Sequence, residues 1–348
     1  MNFYTNVIQR GNSLLVRGVE DGQRVSKRVN YEPTLFNKVT EDTGYKTLDG
    51  QHVLPKHFHS IKEAKAWVEQ RENQDIVFGN TQYPYCYISD EYPNDVPWDM
   101  DQILIVTIDI EVECENGFPN PQDAAEPLLS ITMKNHQNKK IVVWGLHEFQ
   151  NYREDVDYRL CRDEDDLLIK FLDEWRMIYP DIITGWNTEF FDIPYICNRI
   201  NNLFGEEFMH KLSPWNNVFA REVYQMGRKH QVYTIQGVSA LDFYDLYRKF
   251  TYTNQERYTL DHIAFVELGE RKDGNPFETF KEWYQKDYQS FLDYNIQDVE
   301  LVDRLDDKMK LIEQTCTIAY DAGVNLIDAL TSVRMWDCLL YTSDAADE

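Results

Sequence analysis

The stretch Ile103-Leu-Ile-Val-Thr-Ile-Asp109-Ile-Glu111-Val-Glu113 decides how the chain is read. Its first six residues are apolar or β-branched, the composition of a strand buried on both faces, and acids then occupy every second position. Strand side chains alternate, so Asp109 and Glu111 share one face, about 7 Å apart at a rise of roughly 3.3 Å per residue. Two carboxylates so spaced can share a metal cluster. They equally fit the solvated end of a strand, and partners elsewhere in the chain must decide between the two.

Around this stretch, 348 residues lead us to expect two domains, each with its own core. The net charge of -25 argues against a simple DNA-coating module, whose surface would be basic, but leaves open an enzyme that holds nucleic acid through metal ions or a fragment whose basic surface lies on a missing part. No run approaches the roughly 18 apolar residues of a membrane span, and the N-terminus Met-Asn-Phe-Tyr-Thr-Asn lacks a signal peptide's basic and apolar regions, so a cytoplasmic location with no membrane partner is expected. The six cysteines (86, 114, 161, 197, 316 and 338) form no Cys-x-x-Cys pair, which points to reduced thiols. His57-x-His59 has no acidic or cysteine partner nearby and is not favoured as a metal site.

Residues 1–102 read as a smaller α/β domain. Asn6 to Val16 and Arg24 to Tyr31 alternate like strands about a turn at Glu20-Asp21-Gly22, Ile61 to Gln70 has helical spacing, Tyr83 to Ile88 reads as a short strand, and Asp90 to Asp101 as a linker. After the opening strand, Leu128 to Met133 and Lys139 to Leu146 predict an antiparallel meander. A helix is expected from Asp163 to Ile178, a strand from Asp181 to Thr184, a helix opening at Asp192, a projecting hairpin from Arg221 to Tyr233, a strand from Val238 to Leu241, a helix after Asp242 and another from Asp287 to Ile312. A meander followed by alternating strands and helices predicts a mixed sheet flanked by helices, of the ribonuclease H-like type, over residues 103–312.

Two further acids supply the partners. Asp192 lies just past a predicted strand end, where its carboxylate can turn back toward the sheet, and Asp298 shares a helix face with Tyr294. Alone, Asp192 also fits a helix N-cap and Asp298 a structural ion pair with an Arg or Lys. Four converging carboxylates would repel by roughly 4 kcal/mol per close pair at an effective dielectric near 20, and the segments that carry them hold few bases. Hard oxygen donors favour Mg²⁺ or Mn²⁺. Two such ions, roughly 3.5–4 Å apart, serve in-line displacement at a phosphodiester. On this reading Asp109 bridges the ions, Glu111 and Asp298 hold the water-activating one, Asp192 ligates or anchors the other, and Tyr294 orients the water.

At these residues the chain resembles the proofreading exonuclease domain of family B DNA polymerases. Asp109-Ile-Glu111, Asn187-x-x-x-Phe191-Asp192 and Tyr294-x-x-x-Asp298 look like its three motifs, of the DEDD type with a tyrosine. The wording around them, Phe-Asp-Ile-Pro-Tyr at 191–195 and Leu-Asp-Phe-Tyr-Asp-Leu-Tyr-Arg-Lys-Phe at 241–250, resembles that of the T4-like bacteriophage replicative polymerases, and the likeness runs from near residue 1, where Asn30-Tyr-Glu-Pro-Thr-Leu-Phe36 matches the family's N-terminal domain, to about Trp336-Asp337. The resemblance implies DNA contacts from Phe118, Asn187, Phe191, Gly227 and Arg228, with Phe118 wedged against the unpaired primer end and the hairpin around Gly227 helping to part the strands. It also implies a single-stranded 3′ DNA end as substrate, and, through a parent polymerase, a polymerase core in cis, a sliding clamp and a single-strand-binding protein. The polymerase motifs are absent, so this chain is expected not to polymerise. Residues 313–337 read as a helical connection toward that core, and 338–348 as a non-native, adapter-derived tail of a truncated chain. Two other readings stay open: a stand-alone exonuclease, and a non-catalytic acidic binding module.

Overall fold

A computed structural model describes residues 1–331 except Leu48, 71–76, 93–95, 115–116 and Met226; the expected connection beyond Thr331 and the 338–348 tail lie outside the described residues. The described chain divides into two compact units, Met1–Gln102 with residues 314–331, and Ile103–Glu313. No helix among the described residues is long and apolar enough to cross a membrane.

The first unit opens with an antiparallel sheet of β1 (Phe3–Arg10), β2 (Ser13–Glu20) and β3 (Gln23–Val29). The run expected from Asn6 to Val16 is therefore two strands, broken where Gly11 takes φ 63°. A second sheet holds β4 (Thr34–Lys38), β5 (Tyr45–Lys46), β6 (His52–His57) and β7 (Val77–Phe78), with α1 (Ile61–Val68) capped by Ser60. Tyr83 to Ile88, expected as a strand, is instead the first part of a helix, α2 (Tyr83–Glu91). Pro84 sits in its first turn, where the missing N–H costs nothing, and Tyr83 and Tyr85 to Ile88 are all buried, so no helical period is written in the sequence.

The second unit is built on a mixed sheet. Its strands are β8 (Ile105–Val112), β9 (Leu128–Asn135), β10 (Ile141–Gly145), β11 (Val156–Leu160), β12 (Ile182–Thr184) and, after a hairpin of β13 (Val218–Gln225) and β14 (Arg228–Ile235), β15 (Ser239–Ala240). The order is β11-β10-β9-β8-β12-β15, and only β9 runs against the rest. The helices are α3 (Glu164–Ile178), α4 (Asp192–Phe204), α5 (Glu206–His210), α6 (Phe243–Phe250), α7 (Leu260–Leu268), α8 (Phe280–Lys286) and α9 (Tyr288–Met309). This is the expected mixed sheet flanked by helices, of the ribonuclease H-like type. Edge strand β11 and helices α5, α7 and α8 went unread; β11, Val-Asp-Tyr-Arg-Leu, is only five residues long and, although it alternates apolar and polar residues, buries only Val156.

Alternation along β8 sorts its side chains. Val106, Ile108, Ile110 and Val112 join a core with Leu168 and Phe171 of α3 and Ile193 and Ile196 of α4. The odd-numbered residues, Thr107, Asp109 and Glu111, face the other side, which α9 covers with Phe291, Leu292, Ile296 and Val299. Lys310 takes a left-handed conformation (φ 56°) and ends α9, so the helix expected to Ile312 is two, and α10 (Leu311–Ala322) follows. From there the described chain folds within the first unit: the Asn325 amide accepts from Val7 N at 2.7 Å and donates to Val7 O at 2.9 Å, and Tyr85 donates to Asp328 at 2.6 Å.

Candidate active site

Strand β12 stops at Thr184, level with Thr107 of β8, so beyond that point β8 has lost its neighbour on one side. The backbone N–H of Ile110 points into the gap, and Asp192 Oδ1 accepts it at 3.0 Å. Phe191 holds the N-cap position and Asp192 is the first helical residue, so its carboxylate turns back to the sheet rather than capping its own helix. That single bond brings the start of α4 to the acidic end of β8.

From the opposite side α9 contributes Tyr294, Asn295 and Asp298. One oxygen from each of Asp109, Glu111 and Asp298 lies within 4.8 Å of the others. Asn295 is fully buried, and its orientation is set by two hydroxyls: Oδ1 accepts from Ser130 at 3.0 Å and from Thr132, residues opposite Glu111 and Asp109 on β9. The amide nitrogen is thereby turned to donate to Asp109 Oδ2 at 2.6 Å.

The sequence suggested a cluster with few bases. The structure corrects this, because Lys272, from the segment between α7 and α8, enters it. Its ammonium donates to Asp298 Oδ2 at 2.6 Å and to the Tyr294 hydroxyl at 2.5 Å, and lies 4.0 Å from the Tyr294 ring centre. Backbone and side-chain bonds to Asp261 hold this segment: Lys272 N and Arg271 Nη1 each donate to it at 2.9 Å. The alternative of a structural ion pair for Asp298 is thus partly realised. Asp298 Oδ1 nevertheless stays buried with no hydrogen-bond partner.

The electrostatics follow from burial and crowding. Burial, then Asp298, Asp192 and Glu111, raise Asp109 well above the carboxylate range; burial and Asp298 do the same to Glu111, and Lys272 opposes both shifts. Burial lifts Asp192 to about 7 against the pull of Ile110 N–H, and Asp298 to about 6 against Lys272. Burial works against the Lys272 charge, but Asp298 and Tyr294 outweigh it and raise its pKa. The converging carboxylates of Asp109, Glu111 and Asp298, with Asp298 Oδ1 buried and orphaned, make a donor set suited to a hard divalent cation.

Beside the acids lies a pocket of about 350 Å³ lined by Ile110, Glu111, Phe118, Phe191 and Phe280 among others. Phe118 is 84% exposed, with its ring 5.1 Å from that of Phe191. Its loop is anchored by α4, where Tyr195 donates to Glu126 O at 2.6 Å and Arg199 reaches Ala124 O, Ala125 O and, through two bonds, Glu164.

Residues 60–263 match the family described as DNA polymerase family B, exonuclease domain. The chain belongs to this family. The DNA-directed DNA polymerase of Escherichia phage RB69 is 30% identical over 98% of this chain and 41% of its own length. That of Enterobacteria phage T4 is 29% identical over the same shares, and the DNA polymerase catalytic subunit of Alcelaphine herpesvirus 1 (strain C500) is 28% identical over 75% of this chain and 27% of its own length. The chain therefore spans about two fifths of the length of its phage relatives.

In this family B exonuclease domain, then, Asp109, Glu111, Asp192, Tyr294 and Asp298 come together from three separate segments. Asn187 stands at the turn before α4 with φ 65°, and Gly227, φ 75°, at the tip between β13 and β14, where Arg228 begins the second strand. Lys272 and Asn295 went unread. Arg271-Lys272 is the only hint of the first, a basic pair in a polar loop; a buried Asn directly after Tyr294 is the hint of the second.

Proposed function

We propose that this chain removes nucleotides one at a time from unpaired 3′ ends of DNA and releases nucleoside 5′-monophosphates, the proofreading activity of a family B DNA polymerase. The observation that carries it is the convergence of one carboxylate oxygen from each of Asp109, Glu111 and Asp298 within 4.8 Å, with Asp298 Oδ1 buried and unpartnered. Asp109, Glu111 and Asp298 would hold one Mg²⁺ or Mn²⁺, and Asp109 with Asp192 a second. When bound, such ions activate a water and stabilise the leaving 3′ oxygen.

The chain's own residues prepare this chemistry. The Asn295 amide favours ionised Asp109 and fixes its rotamer, since its donor faces the carboxylate. Lys272 occupies a lone pair of the Tyr294 hydroxyl, which leaves the phenolic proton to donate to a water or a phosphate oxygen. Phe118 and Phe191 wall a pocket on which the terminal base can stack, and such stacking is tolerant of sequence. The partners on this reading are DNA with a single-stranded 3′ end, a polymerase core in the same polypeptide, and through it a sliding clamp and a single-strand-binding protein.

The test is degradation of a 3′-unpaired oligonucleotide with Mg²⁺ or Mn²⁺, wild type beside an Asp109→Ala, Glu111→Ala double variant. Metal-dependent release of monophosphates that the variant loses supports the assignment. A folded wild type that neither cuts nor binds Mn²⁺ by calorimetry would instead favour the acidic binding module.

A further inference from the structure

Strands β12 and β15 run parallel and side by side, and their ends feed two different helices. After β15 comes Asp242, 3% exposed, which caps α6 by accepting Tyr244 N on Oδ1 at 2.9 Å. The same carboxylate reaches across to the segment that follows β12. Oδ1 also accepts Asn187 N at 3.0 Å, and Oδ2 accepts Glu189 N at 3.0 Å. A helix cap needs only one of these three bonds. The other two serve a turn more than fifty residues earlier in the chain.

Other bonds hold the rest of the turn, since Gly185 O accepts Phe243 N at 2.9 Å and the Trp186 indole donates to Tyr258 O at 3.1 Å, but the N–H groups of Asn187 and Glu189 bond to Asp242. Asn187 holds a left-handed φ of 65°, unfavourable for a residue with a Cβ, and Gly185 passes so close to β8 that a Cβ there would sit 2.6 Å from Ile108 O. From Asn187 the chain winds directly into α4: Phe191 N donates to Asn187 O at 3.1 Å and Ile193 N to Thr188 O at 3.0 Å. Fixing the N–H groups of 187 and 189 therefore fixes where Phe191 and Asp192 begin.

We propose that Asp242 is a positioning residue for the exonuclease reaction: by holding the 187–189 backbone from the neighbouring strand end, it sets the place of Asp192 at β8 and of Phe191 in the base pocket. This rests on the exonuclease reading above. It predicts that Asp242→Asn, which keeps one acceptor oxygen for Asn187 and Tyr244 but presents an NH₂ to the Glu189 N–H, loosens the turn without removing a catalytic group.

The experiment compares Asp242→Asn with Asp163→Ala, which removes the α3 cap on Asp166 N, a similar bond with no link to the turn. Hydrogen exchange is measured by mass spectrometry on metal-free protein, and kcat and KM on a 3′-unpaired oligonucleotide with Mn²⁺. Exchange is expected to rise in 186–192 but not in the body of α4. The kcat should fall by about 100-fold, the order reached when a reacting group is displaced by about 1 Å, while Asp163→Ala loses thermal stability and keeps its kcat. Asp242→Ser, whose hydroxyl can cap Tyr244 but not reach Glu189 N, gives the same reading should Asp242→Asn fail to fold. Uniform exchange, a kcat no lower than that of Asp163→Ala, or failure of both variants to fold makes Asp242 a stability residue and overturns the proposal. An inactive wild type would instead sink the exonuclease reading, with the exchange result still standing.

Discussion

Lys272 provides the sharpest test of the site, because it is a cation supplied by the chain where a metal ion is expected. Its side chain is 14% exposed and that of Asp298 9%, so the pair is poorly screened by solvent. Replacing Lys272 by Met would leave a buried carboxylate without its base, a change that costs about 3–5 kcal/mol if the acid stays ionised. Asp298 has an escape, since its pKa is only about 6 even with the lysine present; taking up a proton at pH 7 then costs about 1.4 kcal/mol. Loss of the lysine's bonds to Tyr294 and to the protonated acid adds about 1 kcal/mol each. The metal-free variant should thus be destabilised by about 2–4 kcal/mol at pH 7, and by about 1 kcal/mol less at pH 5. At roughly 2–4 °C per kcal/mol for a unit of this size, the melting temperature in EDTA should fall by about 4–16 °C. Added Mn²⁺ should raise the melting temperature of Lys272→Met by more than that of wild type, because the ion no longer competes with an ammonium. Differential scanning fluorimetry with and without Mn²⁺ measures both. Equal metal-induced shifts in the two proteins, or a variant as stable in EDTA as wild type, would refute the idea that Lys272 stands in for a cation.

Asn295→Ala removes the donor to Asp109 and strands the Ser130 and Thr132 hydroxyls in a buried site; a loss of about 2–4 kcal/mol in urea unfolding is expected, and a value under 1 would mean that water replaces the amide. The pH dependence has a defined sign: carboxyls whose folded pKa is raised, Asp192 to about 7 and Asp298 to about 6, bind protons more tightly in the folded than in the unfolded chain. Their contribution is full below about pH 4 and is lost as pH rises through 6 to 7. In EDTA, wild type should therefore lose stability relative to Asp298→Asn between pH 5 and 8, and Mn²⁺ should abolish the difference; a gap of the opposite slope contradicts the burial of this acid. Phe118→Ala should leave stability within about 0.5 kcal/mol, since the ring is 84% exposed. It should weaken binding of a non-hydrolysable single-stranded oligonucleotide in Mn²⁺ by about 1–3 kcal/mol, or ~5- to 150-fold; unchanged fluorescence anisotropy would remove Phe118 from the DNA surface.

The opening strand and α9 were legible because their periods are clean. An apolar run that breaks into alternating acids has one strand register, and Tyr294 with Asp298 has one helical face. Asp192 was legible through its place after a strand end, although the reason for its orientation, the Ile110 N–H left open where β12 stops, is a property of strand lengths that the sequence does not display. Lys272 was not legible, because a loop has no period to aim a side chain and its partners lie 22 and 26 residues away. Asp242 hid for a different reason: a helix cap accounts for it completely until the neighbouring turn is seen. Where Tyr83 to Ile88 was expected as a strand, burial on every side erased the alternation that would have distinguished the two structures.

The net charge of -25 becomes compatible with a DNA substrate once individual charges are placed. In the exonuclease unit Arg199 is spent on Glu164, Arg153 on Asp155 and Glu300, Arg159 on Asp157 and Glu174, and Arg221 on Glu189. These arginines tie the scaffold together rather than offering themselves to phosphates. The acids at the end of β8 would repel a phosphodiester, and Lys272 offsets only one of them. A chain so arranged can draw a scissile phosphate into the site only after divalent cations have reversed the local sign of charge. On the exonuclease reading, substrate engagement would then be conditional on the ions that perform the chemistry, while aromatic walls at Phe118 and Phe191 would hold the base by contacts that need no charge. The acidity that argues against DNA for the chain as a whole would, at this one place, make the proposed DNA cleavage depend on metal.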